Sequence, residues 1–259
     1  MKGLIYLALI QMLCLTNPSL PSIHSSTTTV PGNPTTVQTP SNASQGEIKV
    51  STKEIKSDDK SVIINLKVPV LDGVKDKDIQ DSINSFLAKD AQSFAQEIQD
   101  QYAQYVKDAE AFGYEVRPFE VDVAYDVTYN ENNIISIASN YWAYTGGAHG
   151  NYTIKAFNFD LTTGKQLTAS DIFSKNEDYK SVINTEVLRQ MKLNPDMWYY
   201  SDNDEQFKSI RPDQQIGIEK GNIIVYFDPY EIAPFASGAP KFEIPVSLFK
   251  QSLTINIAK

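Results

Sequence analysis

The chain has 259 residues, and its 23 Lys and Arg against 32 Asp and Glu give a formal net charge of −9. So acidic a surface repels nucleic acid and anionic lipid and attracts cationic molecules, so we expect no nucleic-acid partner; the alternative is that the charge serves only solubility. One cysteine and two histidines are too few for a disulfide or for a Cys- or His-based metal site, so we expect no metal and no other cofactor.

The N-terminal residues 1–25 have the pattern of a secretory signal peptide. Lys2 is the only charge before an apolar run from Leu4 to Leu15, and a polar, proline-containing stretch follows. A basic start, a short apolar run and a helix-breaking exit are typical of export signals, whereas a membrane span needs roughly 20 apolar residues. We therefore expect an extracytoplasmic protein, secreted or held at the cell surface. Lipid attachment at Cys14 and an uncleaved anchor are the alternatives, and only these would tie the chain to a membrane.

Residues 26–46 are rich in Ser, Thr and Pro and nearly lack apolar side chains. Such a segment cannot bury enough surface to offset the entropy of ordering, so we predict a disordered linker. The remaining residues, 47–259, are enough for one large or two small domains. We predict an N-terminal α+β subdomain over residues 47–155 and a C-terminal α+β subdomain over residues 156–259.

The first predicted elements are a strand pair and a long helix. Apolar residues alternate with mostly polar ones over 62–70, which predicts a half-buried strand that pairs with residues 47–55. Apolar residues at three- and four-residue spacing then predict an amphipathic helix over 76–112. Asp76 can cap its start, and Gly113 can end it.

Residues 119–129 form a second alternating segment, which a polar turn connects to a third over 134–144. This pattern predicts a long antiparallel hairpin whose first strand carries Glu120 and Asp122 on its polar face. Residues 151–161 have the pattern of a further strand.

Short helices and strands are predicted in the C-terminal part. Thr168 begins a short helix, an amphipathic helix covers 179–191, and strands follow over 222–227 and 241–248. The order of elements predicts an α+β fold, in which helices pack on one face of an antiparallel or mixed sheet and the chain forms two consecutive subdomains.

The sequence contains no motif of a known catalytic class. The nucleophile elbow, the zinc-protease motif, the Walker loop and the dinucleotide-binding glycines are all absent from it. The segment Asp202–Gln206 resembles a calcium loop but lacks the essential glycine, so we interpret it as a solvated loop. Hydrolysis by carboxylates alone needs no such motif. We predict no catalytic residue, but an enzyme that acts on peptidoglycan through Glu120, Asp122 or Asp228 is an alternative.

The segment Tyr141–Tyr152 combines four aromatic residues and three glycines with His149. Because glycine adopts backbone angles denied to other residues, one interpretation is a binding loop. Its candidate contact residues are Trp142, Tyr144 and His149. The alternative is a tight corner between two strands, with Trp142 in the core and His149 hydrogen-bonded to the backbone.

The segment Asp228–Pro240 contains three prolines, which make a loop stiff. Aromatic side chains on a stiff loop can bind a partner at low entropic cost. The candidate binding residues here are Asp228, Pro229, Tyr230, Pro234 and Phe235. The alternative is a long crossover connection whose aromatic side chains are buried.

Four stretches of the sequence resemble one family of bacterial proteins. They are Tyr144–Asn151, Phe159–Lys165, Asp171–Phe173 and Phe227–Gly238. Together they resemble the extracytoplasmic domain of the RsiV anti-sigma factor family. The same domain pair resembles the N-terminal part of PdaC-type peptidoglycan deacetylases. The resemblance covers residues 47–259.

In the RsiV family this domain binds lysozyme, and binding makes the anti-sigma factor a substrate for regulated proteolysis. An anti-sigma factor needs a cytoplasmic segment ahead of its membrane span, whereas only Met1–Gly3 precede the apolar run here, and no deacetylase domain follows. We therefore expect the binding module alone. The expected function is exported, non-catalytic binding of a cell-wall-related partner, either a lysozyme-like basic protein or peptidoglycan. A structural or assembly domain of the cell surface is the alternative.

Overall fold

The computed structural model describes residues 47–57, 59–173, 178–201, 206–249 and 253–257. All of them lie in one compact unit of the chain, which extends from Ala43 to Lys259. The predicted signal peptide with Cys14, the predicted linker and residues 202–205 of the predicted solvated loop lie outside the described residues. Among the helices of the described ranges, none combines the length and the hydropathy that a bilayer span needs.

A five-stranded mixed sheet forms the first part of the fold. Its strands are β1 (Lys49–Ser57), β2 (Val62–Asp72), β3 (Phe119–Glu131), β4 (Ile134–Tyr144) and β5 (Asn151–Asp160). They lie side by side in this order, and neighbours are antiparallel except β2 and β3, which are parallel. A parallel pair requires a crossover of roughly a dozen or more residues, and helix α1 (Lys77–Phe112) supplies it.

Capping residues define both ends of α1. The Asp76 carboxylate accepts hydrogen bonds from the N–H groups of Asp78 and Ile79, at 2.9 and 3.2 Å. Gly113 ends the helix in the left-handed conformation, with φ 75°, and its N–H donates to the Ala109 carbonyl. Such caps satisfy backbone groups that a helix end otherwise leaves unpaired. The predicted helix with its two caps is confirmed.

The first core lies between α1 and one face of the sheet. Leu66, Val123 and Tyr141 are opposite one another on three neighbouring strands and point to this face. At the edge of the sheet, Lys155 Nζ lies 2.8 Å from Asp90 Oδ2 of α1 and 4.4 Å from the centre of the Tyr141 ring. The helix buries a single stripe against the sheet: Ile83, Leu87, Ala91, Ala95 and Ile98.

A three-stranded antiparallel sheet with two helices forms the second part of the fold. Its elements are α2 (Ala169–Ile172), α3 (Tyr179–Leu193), β6 (Gln215–Glu219), β7 (Asn222–Tyr226) and β8 (Lys241–Pro245), with 3-10 turns at Phe235–Ser237 and Val246–Phe249. The strands lie in the order β6, β7, β8. Ile183 and Val187 of α3 are fully buried in a second core with Ile218, Val225 and Ile244 of the sheet.

The predicted α+β class with two parts is confirmed, and one strand was not among the expected elements. Strand β6 was not predicted, because it has only five residues with a polar residue at each end, and so short a segment shows little alternation of apolar and polar residues. The strand predicted over residues 151–161 is confirmed as β5, whose Phe157 and Phe159 belong to the first core.

The two parts meet where β6 lies against the sheet face opposite α1. The Thr128 hydroxyl donates to the Ile218 carbonyl at 2.7 Å, and the Ile218 N–H donates to the Ser136 hydroxyl at 3.0 Å. The Asn158 side-chain amide donates to the Ile216 carbonyl at 2.7 Å. Because buried polar groups require partners, these bonds fix the second sheet on the first.

Candidate functional site

Two loops that are far apart in the sequence meet beside β5. The first loop, residues 145–150, connects β4 to β5, and the second loop, residues 227–240, connects β7 to β8. The His149 ring is stacked on the Phe235 ring, with centroids 4.1 Å apart and planes inclined by 22°. The Tyr230 and Tyr152 rings lie 5.6 and 6.2 Å from Phe235. We name His149, Tyr152, Tyr230 and Phe235 the two-loop surface.

Hydrogen bonds at both ring nitrogens hold the His149 side chain in place. Nδ1 lies 2.7 Å from the Gly150 carbonyl oxygen, which can only accept, so Nδ1 carries a proton. Nε2 lies 3.3 Å from the Tyr230 hydroxyl, which donates to it when the ring is neutral. The surface is therefore ordered by its own contacts before any partner binds.

The backbone of the first loop lies close to the sheet at Gly150, which is packed directly against the Trp142 indole. A Cβ atom at this position would lie 2.4 Å from atoms of the ring, so no other residue fits without displacing Trp142. Trp142 is itself half-buried, and Tyr152 of the two-loop surface is its cross-strand partner.

Asp228 fastens the second loop to the edge of β5. Its Oδ1 accepts hydrogen bonds from the Thr153 hydroxyl at 2.7 Å and from the Ile154 N–H at 3.2 Å. Its backbone N–H donates to Glu231 Oε2 at 2.9 Å, and the Glu231 N–H donates back to the Asp228 carbonyl at 3.1 Å. These bonds close the turn at residues 228–231 and cap an otherwise open sheet edge.

Tyr230 lies at the tip of this turn in a conformation that its residue type disfavours. Its φ is 67°, in the left-handed region, and its side chain is 52% exposed. A residue with a side chain at such an angle costs about 1 kcal/mol or more. Strained residues of this kind cluster at functional sites, so the exposed tyrosine is a candidate contact residue.

The prolines of the second loop stand on either side of the turn. Pro229 is buried, and Pro234, with φ −66°, precedes the 3-10 turn that carries Phe235. Because proline fixes φ, both restrict the loop to few conformations. Phe235 is half-buried beneath the rings of His149 and Tyr230.

The structure brings His149 together with the second-loop candidates and places the other two first-loop candidates nearby. Trp142 and Tyr144 are half-buried on the sheet face opposite α1, beyond Tyr152. His149 is bonded to a backbone carbonyl, as the alternative interpretation of this loop expects, whereas Trp142 lies outside the core. The side chains of Tyr230 and His149 are therefore exposed to solvent, whereas Trp142, Tyr144 and Phe235 are half-buried.

The three candidate carboxylates lie in different settings. Asp228 is engaged in fastening its loop, and Asp122 Oδ1 accepts a hydrogen bond from Asn65 Nδ2 at 2.7 Å. The Glu120 side chain forms neither a hydrogen bond nor an ion pair with any other residue that the structure describes. Within the described residues, no group of three or more His, Cys, Asp or Glu could hold a metal ion.

Trp198 is a candidate that the sequence interpretation missed. Its side chain is 73% exposed, and its carbonyl accepts a hydrogen bond from the Ser237 hydroxyl at 3.3 Å. Two residues later, the Tyr200 N–H donates to the Ile232 carbonyl at 2.9 Å, so this segment runs along the second loop. The signal that could have identified it is the run of Trp and two Tyr at 198–200, three residues after the helix-ending Pro195.

Comparison with family models identifies two regions. Residues 55–152 match the model described as deacetylase PdaC, and residues 170–247 match a protein family of unknown function, DUF3298. His149 and Tyr152 lie in the first region, and Tyr230 and Phe235 lie in the second. Both matched regions therefore contribute residues to the two-loop surface.

Two characterised proteins of Bacillus subtilis are similar to most of the chain. The peptidoglycan-N-acetylmuramic acid deacetylase PdaC is 24% identical over 212 residues, which are 80% of this chain and 42% of that protein. The anti-sigma-V factor RsiV is 28% identical over 207 residues, which are 77% of this chain and 68% of that protein. The predicted resemblance to RsiV and PdaC is confirmed as a distant homology.

Two solved structures of DUF3298-family proteins share the fold. One, from Bacteroides fragilis, has a TM-score of 0.61 at 20% identity and covers 82% of this chain and 95% of its own. The other, from Pseudomonas aeruginosa, has a TM-score of 0.53 at 14% identity and covers 83% of this chain and 95% of its own.

Proposed function

Because the chain combines a PdaC-type region with a DUF3298 region and is a distant homologue of RsiV, we propose that it is an exported, non-catalytic binding module of the cell envelope. Its partner is a cell-wall-related molecule, and a lysozyme-like basic protein is the first candidate. Peptidoglycan is the second candidate, since PdaC is named for its action on that polymer.

The observation that carries the proposal is the two-loop surface. His149 stacked on Phe235 at 4.1 Å and the exposed Tyr230 present ring faces and polar edges from a framework that internal hydrogen bonds already fix. Binding energy in protein interfaces concentrates on such aromatic side chains, and little conformational entropy is lost when they are ordered beforehand.

The net charge of −9 supports a basic partner over an acidic one. Opposite charges increase the rate of encounter, whereas the affinity of the final complex depends mainly on the buried contacts. Binding to a basic protein should therefore weaken with added salt through slower association.

The setting of Asp228 favours binding over catalysis. This carboxylate is the candidate acid nearest the two-loop surface, and it accepts two hydrogen bonds that hold the second loop in place. A carboxylate that is held by these hydrogen bonds is poorly suited to act as the general acid or base of glycoside hydrolysis.

Calorimetric titration of the purified chain with lysozyme, together with co-sedimentation on insoluble peptidoglycan, tests the proposed function. We expect saturable binding of at least one of the two, with lysozyme binding at low ionic strength. Absence of both, at concentrations of tens of micromolar, would contradict a cell-wall-related partner. Release of muropeptides from the peptidoglycan would contradict the non-catalytic assignment.

A further inference from the structure

The sheet face opposite α1 carries two carboxylates, each next to an aromatic ring. Glu120 is the cross-strand partner of Tyr144, and Asp122 is the cross-strand partner of Trp142. Side chains directly opposite each other on neighbouring strands share a face. We name Glu120, Asp122, Trp142 and Tyr144 the acidic–aromatic ladder.

Gly150 of the first loop lies against the Trp142 indole, and no described helix or strand covers the rest of the ladder. Helix α1 packs on the other face through Val121, Val123 and Tyr141, and β6 lies against the far end of β3 and β4, around Thr128 and Ser136. All four ladder residues are partly exposed. The ladder adjoins the two-loop surface, because Tyr152 is the cross-strand partner of Trp142.

The two carboxylates of the ladder are acceptors without a paired cation. Among the described residues neither Glu120 nor Asp122 has an ion-pair partner, and Asn65, whose amide donates to Asp122, has an Oδ1 without a hydrogen-bond partner. On the same face Lys56, opposite Asn65, is paired with Glu54 at 2.6 Å. Lys67, two residues after Asn65 and opposite Glu54, also lies on this face, but among the described residues neither lysine forms an ion pair with Glu120 or Asp122.

A guanidinium group has the chemistry that the ladder lacks. It is planar and positively charged, stacks on aromatic rings, and donates in-plane hydrogen bonds to carboxylates. Residues two apart on a strand are separated by roughly 7 Å, so the Trp142–Asp122 and Tyr144–Glu120 pairs are close enough for one or two arginine side chains.

We propose that the acidic–aromatic ladder binds arginine side chains of a basic protein partner. The inference rests on the proposed function, since it names a second contact of the same module with the same class of partner. The two-loop surface supplies the rings that pack against the partner, and the ladder receives its cations.

Fluorescence of a chain with a single tryptophan tests the ladder directly. The sequence has two tryptophans, so Trp198→Phe leaves Trp142 as the only one, and every comparison is made in that background. We expect hexa-arginine to change Trp142 emission in a saturable manner. Asp122→Asn, which can keep its hydrogen bond with Asn65, should weaken this binding roughly tenfold.

Glu97→Gln is the matched control, because it removes one negative charge from an exposed position on α1, on the opposite side of the sheet. We expect it to change hexa-arginine binding by less than about twofold. Equal losses for Asp122→Asn and Glu97→Gln would overturn the proposal in favour of unspecific attraction. Trp142 emission that does not change when hexa-arginine is added would also overturn the proposal. Equal binding of hexa-lysine, or a Trp142 response to chitooligosaccharide and not to hexa-arginine, would overturn the assignment to arginine.

Titration with lysozyme separates this inference from the proposed function. If Tyr230→Ala weakens lysozyme binding and Asp122→Asn does not, the ladder proposal is overturned and the binding module stands. If lysozyme fails to bind while hexa-arginine binds at Trp142, the proposed partner is wrong and the ladder is supported.

Discussion

Tyr230 combines an unfavourable backbone angle with a side chain that is 52% exposed. Its hydroxyl meets His149 Nε2 at 3.3 Å and its ring flanks Phe235 at 5.6 Å. Glycine would adopt φ 67° without steric cost. The cost of the tyrosine is therefore consistent with selection for contact with a partner.

A pair of variants at this position separates backbone strain from ring contacts. Both Tyr230→Ala and Tyr230→Gly remove the ring, but only glycine relieves the left-handed angle. We expect Tyr230→Gly to be more stable to urea than Tyr230→Ala by about 1 kcal/mol. Equal free energies of unfolding for the two variants would show that the angle carries no strain.

Local signals determine most of the elements of the first part. The long helix follows from its apolar spacing, and its ends follow from Asp76 and Gly113, which act through neighbouring backbone groups. Hairpin β3–β4 likewise follows from alternation around a polar turn.

Asp76→Ala tests whether the N-terminal cap stabilises α1 as its geometry implies. The change removes the acceptor for the N–H groups of Asp78 and Ile79. We expect a loss of about 1 kcal/mol in the free energy of unfolding, measured by urea denaturation. Asp81→Ala, on an exposed face of the same helix, is the control and should cost less than half as much. A cap variant no less stable than its control would contradict the assignment.

Elements that depend on distant residues could not be predicted from the sequence. The parallel pairing of β2 with β3 and the docking of β6 on Ser136 and Asn158 are set by partners elsewhere in the chain. The same holds for the site. Composition identified His149 and Phe235 as candidates, but no local pattern predicts that their rings stack.

At the scale of the whole molecule, the two-loop surface exists only because the two parts are fixed on each other. One loop follows β4 in the PdaC-type region, and the other joins β7 and β8 in the DUF3298 region. Hydrogen bonds between the two sheets hold the parts together, and the hydrogen bond between the Thr153 hydroxyl and the Asp228 carboxylate also connects them. Binding should therefore depend on the intact pair of regions.

Alkaline pH probes the second part through Tyr226. Burial, with Glu219, Asp126 and Glu243 nearby, raises the pKa of this phenol from 10.0 to about 12. Because the folded state favours the neutral phenol, its contribution to stability is complete below pH 10 and is lost as the pH rises towards 12.

We expect Tyr226→Phe to flatten the fall of stability between pH 10 and pH 12, by at most about 1.4 kcal/mol per pH unit, the limit for one proton. Urea unfolding of both proteins at pH 8, 10 and 11 measures the difference. Parallel stability curves for the two proteins would contradict the raised pKa.

The measurement that tests the two-loop surface most directly is lysozyme titration of three aromatic variants. Tyr230→Ala and Phe235→Ala remove rings from the surface, whereas Phe112→Ala removes an 80% exposed ring at the end of α1. We predict that the first two weaken binding roughly tenfold or more and that Phe112→Ala leaves the affinity within about twofold. Equal affinities for all three variants would contradict binding through the two-loop surface.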